Sequence, residues 1–560
     1  MKKENRFPEI LSVLAAVIVI AAVTAYPFLH EGLYGYAPDY IYHMNRIDGV
    51  KEAILAGEYP VYVYSNFFKA KGYGSPMFYP DLFLIFPALL RIAGFSILSV
   101  YKIFAVIICL IATISTYISL KIITRDRMIS LSGTFLLMLS EFYLADIIFR
   151  AGYSSYISYI FIPLLFTGIY DFFAREGKKT YLIGVGLGGL VLCHIINSFI
   201  ALLLTVFVFV ILLLTKTGRS AIFSKDKFLR LLKTAFITLL VTGYYTFPMI
   251  EQMTSGVRRV YQEPWANIGE YVQPFETLFL PTGYFFNIAY VGVGIPILLL
   301  VGVRVFAGKA KDLFANFYYL LGIMLLISMT GIVPWEKLKG TLLNQLQFTF
   351  RIYPFALCVL IFGIALTAKE ILEEKSKIPL LVYAVVMTIS FGIWQNQTAL
   401  SETYGYFNEV TDELVADNSE TVGRGEWLPV SYDVEGLSKR KKVYAEDNPD
   451  YKIPYDRFDH KVGGSFEVSE YAESFVVPQI YYKGYGAKFT SDSGESVKLS
   501  CSIADNGLTR VEMPVELLDK AGTVTAKYEG TPVQKVTLIL SILTVICGIA
   551  FGIYKKKKAK

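Results

Sequence analysis

Histidine and cysteine are scarce in this chain. Its 560 residues include four histidines (His30, His43, His194, His460) and five cysteines. No HxH or HxxxH spacing occurs, so a histidine-based metal site has little support. Cys109, Cys193, Cys358 and Cys547 fall inside apolar runs, and only Cys501 lies in a polar stretch. No CxxC pair exists, which argues against zinc and against a disulfide framework. Charge is scarce too. Asp, Glu, Lys and Arg make up 18% of the chain, against roughly 25% in an ordinary soluble domain. The net charge of +6 is small for this length, and the basic residues sit in short clusters between apolar runs. That points away from nucleic acid.

Hydrophobic residues, by contrast, make up 54% of the chain. A soluble protein of this composition would expose large apolar patches and aggregate. A polytopic membrane protein is the class that remains. A hydrocarbon core ~30 Å thick needs about 20 apolar helical residues. Spans are expected near 10–29, 97–120, 128–149, 153–174, 180–197, 198–215, 231–250, 288–306, 313–331, 350–368, 378–396 and 535–554. Residues 180–215 must be two spans, because one helix of that length would run ~54 Å. Asn197-Ser198 is a plausible turn between them.

Orientation follows from the basic residues, which favour the cytoplasmic side. Lys2, Lys3 and Arg6 put the N-terminus inside. The segment 77–94 is short, carries Asp81 and is interrupted by Pro80 and Pro87. If it does not cross, every later basic cluster through Lys555–Lys558 also falls inside. It is therefore expected to be re-entrant or interfacial on the outer side. This gives twelve spans with both termini cytoplasmic. The first span resembles a signal peptide in pattern, and its cleavage would not change the rest.

The expected organisation has three parts. Residues 1–396 form a helical membrane domain with outer loops 30–96 and 251–287. Residues 397–534 form an extracytoplasmic β-rich domain. Residues 535–560 form an anchor with a cytoplasmic lysine tail. From 464 onward, short alternating runs punctuated by Gly484, Gly486, Gly494 and Gly507 predict a small β-sandwich. The unusual polar residues collect on the outer face. They include Asp39, His43, Arg46, Asp81, Glu141, Asp146, Arg150, His194, Glu251, Gln347 and Arg351. Ionisable groups near membrane depth are costly and face a protein interior or a water-filled cavity. Their one-sided distribution points to an outward-facing site, whereas a transporter would place polar groups near the midplane.

Two stretches carry a recognisable pattern: PDYIYHMNRIDGVKEAILAGEYP, and then GYGSPMFYPDLFLIFPALLRIAG. A first outer loop with an Asp, a following amphipathic helix and an aromatic-proline re-entry resembles the GT-C glycosyltransferases. Within them the chain resembles the bacterial YfhO-like proteins, often labelled "6-pyruvoyl-tetrahydropterin synthase-related". Supporting stretches are LQFTFRIYPF (346–355), TFPMIEQ (246–252), GRGEWLPV (423–430), PQIYYKGYGA (478–487), NGLTRVEMP (506–514) and KYEGTP (527–532). The pterin label implies no chemistry, because the clustered histidines of a pterin synthase are missing. Relatives tend to carry Glu five residues after an Arg, whereas RAGYSS places Ser155 there.

The resemblance implies an all-α, GT-C-like membrane fold of about twelve helices with the β-rich domain before the last. It implies transfer of a sugar from a polyprenyl-phosphate donor to a cell-envelope glycopolymer or glycolipid, with a teichoic-acid-type acceptor as one possibility. Inverting transfer needs a base near the acceptor hydroxyl and positive charge on the leaving phosphate. Asp39 matches the family's first-loop acid and is the expected base. Helix N-capping is its alternative role. His43, four residues on, would share its helical face and could orient it. Asp81 is the third catalytic candidate. Arg351 and Arg150 are phosphate candidates because a guanidinium binds phosphate as a fork. Gln347, His194 and Glu251 complete the expected binding set. Asp39, Asp81 and Glu251 have the oxygen ligands a divalent metal would take, though their spacing demands none. An envelope-lipid flippase and a non-catalytic scaffold that binds lipid or glycan are the alternatives.

Overall fold

The computed structural model describes residues 7–29, 39–256, 258–262, 264, 266–280, 291–306, 308, 310–403, 411–417, 422–437, 441–470, 472–517 and 520–558. In chain order the longer helices are α1 (Phe7–Ala25), α2 (Tyr40–Leu55), α3 (Ile85–Ile92), α4 (Ile97–Thr124), α5 (Arg127–Met138), α6 (Tyr153–Ala174) and α7 (Tyr181–Val191). They continue as α8 (Ile195–Leu213), α9 (Lys225–Thr254), α10 (Ile295–Phe306), α11 (Leu313–Ser328), α12 (Tyr353–Ile371), α13 (Glu374–Thr403) and α14 (Pro532–Lys558). The chain forms two compact units. One holds Met1–Tyr40, Leu98–Leu239 and Ala266–Thr411, and the other holds Ile41–Ile97, Leu240–Trp265 and Asp412–Lys560.

The first unit is helical, and α12 is its centre. Every residue of α12 from Tyr353 to Ala368 is buried. Its neighbour α11 approaches closely because each helix offers a glycine. A methyl on Gly363 would sit 2.4 Å from the Tyr319 backbone nitrogen, and one on Gly322 would sit 2.6 Å from Leu360 Cβ. In an apolar medium such close backbone packing holds helices together where the hydrophobic effect does not. Asp126 caps α5 by accepting from the Ile129 N–H at 3.0 Å, and its other oxygen pairs with Lys377 at 2.6 Å.

Among the described residues eight helices are long and apolar enough to cross a membrane: α1, α4, α6, α8, α9, α12, α13 and α14. Four expected spans are represented by shorter helices, α5, α7, α10 and α11. The stretch 128–149 stops at Met138 because Ser140 adopts extended backbone; a short helix then follows over Glu141–Ala145. The break within 180–215 falls at 192–194 rather than at Asn197-Ser198. His194 is extended and caps α8, so Asn197 and Ser198 lie in the first turn of that helix. The start of the stretch 288–306 lies outside the described residues. The segment 77–94 forms only the short apolar helix Leu82–Ile92.

The second unit contains the β-rich region. Ten strands form it: β1 (Val443–Ala445), β2 (Lys452–Ile453), β3 (Asp456–Arg457), β4 (Gly463–Val468), β5 (Ser474–Ile480), β6 (Tyr485–Ser491), β7 (Ser496–Leu499), β8 (Cys501–Ile503), β9 (Leu508–Glu512) and β10 (Gly522–Tyr528). They make two five-stranded antiparallel sheets, ordered β2-β1-β5-β9-β8 and β3-β4-β10-β6-β7. Inward residues of both share one core, with Phe475, Val477 and Val511 from one sheet and Phe466, Phe489 and Val524 from the other. Alternating burial along β6 and β10 is what a half-buried strand requires. The C-terminal end of α9 is tied to this region, because Gln252 Nε2 donates to the Lys483 carbonyl at 2.6 Å.

Candidate functional site

In the first unit the sequence Asp146–Arg150 forms a π-helical turn, and Ala151 follows in left-handed conformation (φ 53°). Such turns re-aim side chains. Here Arg150 Nε donates to Asp39 Oδ2 at 2.9 Å, and Nη1 approaches Asp146 Oδ1 at 3.3 Å. Backbone reinforces the pairing, since the Asp39 N–H donates to the Arg150 carbonyl at 3.3 Å. The two acids differ in environment. Asp146 is fully buried, whereas the Asp39 side chain keeps 35% of its surface exposed. Ser155 also faces the Asp146 carboxylate.

Arg150 stacks over Phe350 at 5.5 Å, Phe350 stacks on Phe348 at 5.0 Å, and Arg351 lies over Phe348 at 5.0 Å. Two guanidinium groups thus flank a pair of rings. Arg351 also donates to the Leu346 carbonyl at 2.9 Å and to Gln347 Oε1 at 2.8 Å. Gln347 itself has positive φ (58°), which turns its side chain back toward Arg351. The structure therefore brings together Asp39, Arg150, Gln347 and Arg351, with Asp146 added. His194 is apart from them. It is buried and caps α8 by accepting from the Asn197 N–H at 3.0 Å.

In the second unit Arg46 is 0% exposed and organises the first loop. Its guanidinium donates to Asp81 Oδ1 at 2.5 Å and to the Pro80 carbonyl at 2.7 Å, and it meets His43 Nδ1 at 3.2 Å. The Tyr79 ring lies under it at 4.4 Å. Tyr64 donates to the other Asp81 oxygen at 2.5 Å. Burial pushes the Asp81 carboxyl up from its ordinary range, and Arg46 and Tyr64 draw it back. Both Asp81 oxygens are thus engaged, and His43 has one ring nitrogen committed to Arg46. A small cleft opens beside them, lined by Tyr59, Tyr62, Met77, Asp81, Tyr244 and Tyr245 among others. Glu251 is committed elsewhere in this unit. One oxygen accepts from Thr531 at 2.5 Å and the other pairs with Lys483 at 3.1 Å. Among the described residues no group of three or more His, Cys, Asp or Glu gathers as metal ligands would.

Arg46 and Asp146 stood among the outer-face polar residues with no assigned role, and Tyr64 and the Phe348–Phe350 pair did not stand out at all. Arg46 carried one usable signal: it follows His43 by three residues, on the same face of α2. Tyr64 carried none.

Eight membrane-length helices among the described residues, with a two-sheet β-rich region ahead of the last, define a multi-pass membrane protein. A family model described as "Family of unknown function (DUF6541)" matches residues 2–394, and the chain belongs to that family. Its description names neither YfhO-like proteins nor an activity. An uncharacterized protein of Lactococcus lactis subsp. cremoris (strain MG1363) is 19% identical over 582 residues, covering 95% of this chain and 93% of the relative. The apo crystal structure of the Archaeoglobus fulgidus oligosaccharyltransferase aligns at 12% identity with a TM-score of 0.35, over 70% of this chain and 56% of that one. The chain spans little more than half of that archaeal protein, and at this score the likeness defines neither fold nor activity.

Proposed function

We propose that the protein is an integral membrane glycosyltransferase of the GT-C type, similar to the YfhO-like proteins. It transfers a sugar from polyprenyl phosphate to an extracytoplasmic glycopolymer or glycolipid. One observation carries the choice of base. Asp39 keeps an exposed carboxylate beside Arg150, whereas Asp81 has both oxygens engaged by Arg46 and Tyr64. In this reading Asp39 takes the proton of the acceptor hydroxyl as its oxygen attacks the anomeric carbon. The bond to the phosphate oxygen breaks and polyprenyl phosphate departs with the electron pair. Arg150 holds Asp39 in orientation, and the Arg150–Phe350–Phe348–Arg351 stack offers positive charge to the phosphate. The basic clusters support a cytoplasmic location for both termini and an outward active face.

The test uses purified protein in lipid with a panel of polyprenyl-phosphate sugars. Wild type should release polyprenyl phosphate, and Asp39→Asn should lose at least about 100-fold in turnover, the scale of a lost general base. Equal turnover in both would remove Asp39 from the mechanism. A scaffold that binds donor without turnover is the second reading. It is favoured by Ser155, which puts a hydroxyl beside Asp146 where relatives tend to have an acid. Retained donor affinity with no product from any sugar would select it.

A further inference from the structure

Five arginines are buried in the described residues: Arg46, Arg150, Arg258, Arg304 and Arg351. Four have acceptors. Arg46 has Asp81, Arg150 has Asp39, Arg304 has Thr367 and Asn316, and Arg351 has Gln347 and a carbonyl. Arg258 differs. It is 2% exposed, and among the described residues its side chain donates to no acceptor; its Nε is both sealed from solvent and unpaired, whereas Arg46 and Arg351, whose Nε atoms are in the same state, donate through their other nitrogens. Aromatic rings are its surroundings. The guanidinium carbon lies 4.9 Å from the Tyr482 ring centre and 5.9 Å from that of Phe78. Trp427 stacks flat on Phe78 at 4.6 Å.

Three separate segments build this cage, and each is a motif without a role so far: GSPMFYPD, GRGEWLPV and PQIYYKGYGA. Hydrogen bonds tie the second segment to the Arg258–Arg259 backbone and to Tyr482 of the third. Arg258 bridges to Pro429, the Arg259 N–H donates to the Leu428 carbonyl at 3.1 Å, and Tyr482 Oη donates to the Trp427 carbonyl at 3.1 Å. Ring faces offset part of the desolvation of a buried cation. They leave its sealed Nε without an oxygen, which buried polar groups ordinarily have. A guanidinium kept in this condition matches a ligand that brings its own oxyanion.

We infer that Arg258 is the anion-binding residue of a site for a phosphate ester, its aromatic cage covering the apolar or sugar moiety that the phosphate carries. Pro76 and Met77 line the cleft described above, and Phe78, next in the chain, lies against Arg258. The cage and the cleft are thus joined by one short segment. The choice of a lipid phosphate as the ester rests on the glycosyltransferase reading, to which Arg258 adds a second lipid-phosphate contact besides the Arg150–Arg351 stack. The anion site itself does not.

The experiment is a binding measurement on full-length protein in lipid nanodiscs, without turnover. Intrinsic fluorescence reports occupancy, with the part lost in Trp427→Phe assigning it to Trp427. The probes are undecaprenyl phosphate, the neutral alcohol undecaprenol, and glucose 1-phosphate. Undecaprenyl phosphate should bind wild type, and Arg258→Gln should weaken it about 10- to 100-fold, the scale of a charge-assisted hydrogen-bonded contact. Arg258→Lys, which keeps the charge and loses the fork, should fall between. Undecaprenol should bind more weakly and equally to all three proteins. Unchanged affinity in Arg258→Gln, or equal binding of alcohol and phosphate to wild type, would overturn the inference. If Arg258→Gln does not fold, the alcohol–phosphate comparison and Arg258→Lys decide it. Glucose 1-phosphate binding as tightly as the lipid would keep the anion site and replace the lipid with a soluble phosphate ester. Phosphate-dependent binding with no sugar transfer would refute the transferase and leave the site standing.

Discussion

The Arg46–Asp81 pair yields the sharpest prediction. Asp81→Asn leaves a fully buried guanidinium facing carbonyls and rings, with no negative charge. Removing one partner of a buried ion pair destabilises by about 3–5 kcal/mol. For a unit of about 230 residues, where each kcal/mol moves the melting temperature by ~2–4 °C, the expected fall is roughly 6–20 °C. Arg46→Met should behave differently. It leaves Asp81 with the Tyr64 hydroxyl in a site whose burial already pushes the carboxyl up. The carboxyl can then take a proton and become neutral. A folded-state value raised above the unfolded one gives stability that is present at low pH and lost as pH rises. Arg46→Met should therefore lose ground to wild type as pH goes from 5 to 8. The Arg46→Met/Asp81→Asn double variant should fall by less than the two single losses combined. Melting of purified protein by intrinsic fluorescence checks all three. A fall below about 2 °C in Asp81→Asn, with the double variant additive, would refute the account of Asp81 as a sealed structural acid.

Three further outcomes are expected. Gly363→Ala should destabilise by about 1–3 kcal/mol, because its methyl would meet the Tyr319 backbone, while Gly302→Ala on α10, with open space around it, should be neutral or stabilising; thermal melts compare them. His194→Ala removes the cap of α8 and should cost about 0.5–2 kcal/mol with unchanged donor KM, so a large KM rise would make His194 a substrate contact instead. Burial, with Lys69 and Arg457 nearby, lowers the Lys71 ammonium to about 8. The unfolded chain then binds more protons between that value and the ordinary lysine range, so stability attributable to Lys71 should rise with pH across this window. Paired melts of wild type and Lys71→Met at pH 7.5 and 9.5 should show wild type gaining, and parallel changes would contradict this.

Much of the architecture could be read from the chain. Long apolar windows located α1, α4, α6, α8, α9, α12, α13 and α14, because crossing a membrane is a sum over some twenty neighbours and composition alone supplies it. Alternation from 464 onward likewise anticipated the paired sheets. The early strands β1 to β3 were not legible, since two or three residues are too few for a period to register. Nor were the breaks at Ser140 and His194, where one extended residue interrupts a window that still averages as apolar.

The site was legible as a collection of residue types and not as a set of partners. Asp39 and Arg150 stood out by chemistry, but they are 111 positions apart, and only the folded unit pairs them. Asp39 was the expected base and Asp81 a further catalytic candidate. Tertiary structure separates them, because Arg46 and Tyr64 close on one while the other keeps solvent. Arg258 looked like any loop arginine until three distant segments put rings around it. Hydropathy and strand alternation are local and additive, so the sequence by itself determined the membrane class and the β-rich region. Which charge meets which depends on contacts between distant segments and on the water they exclude, and that the tertiary structure alone decided.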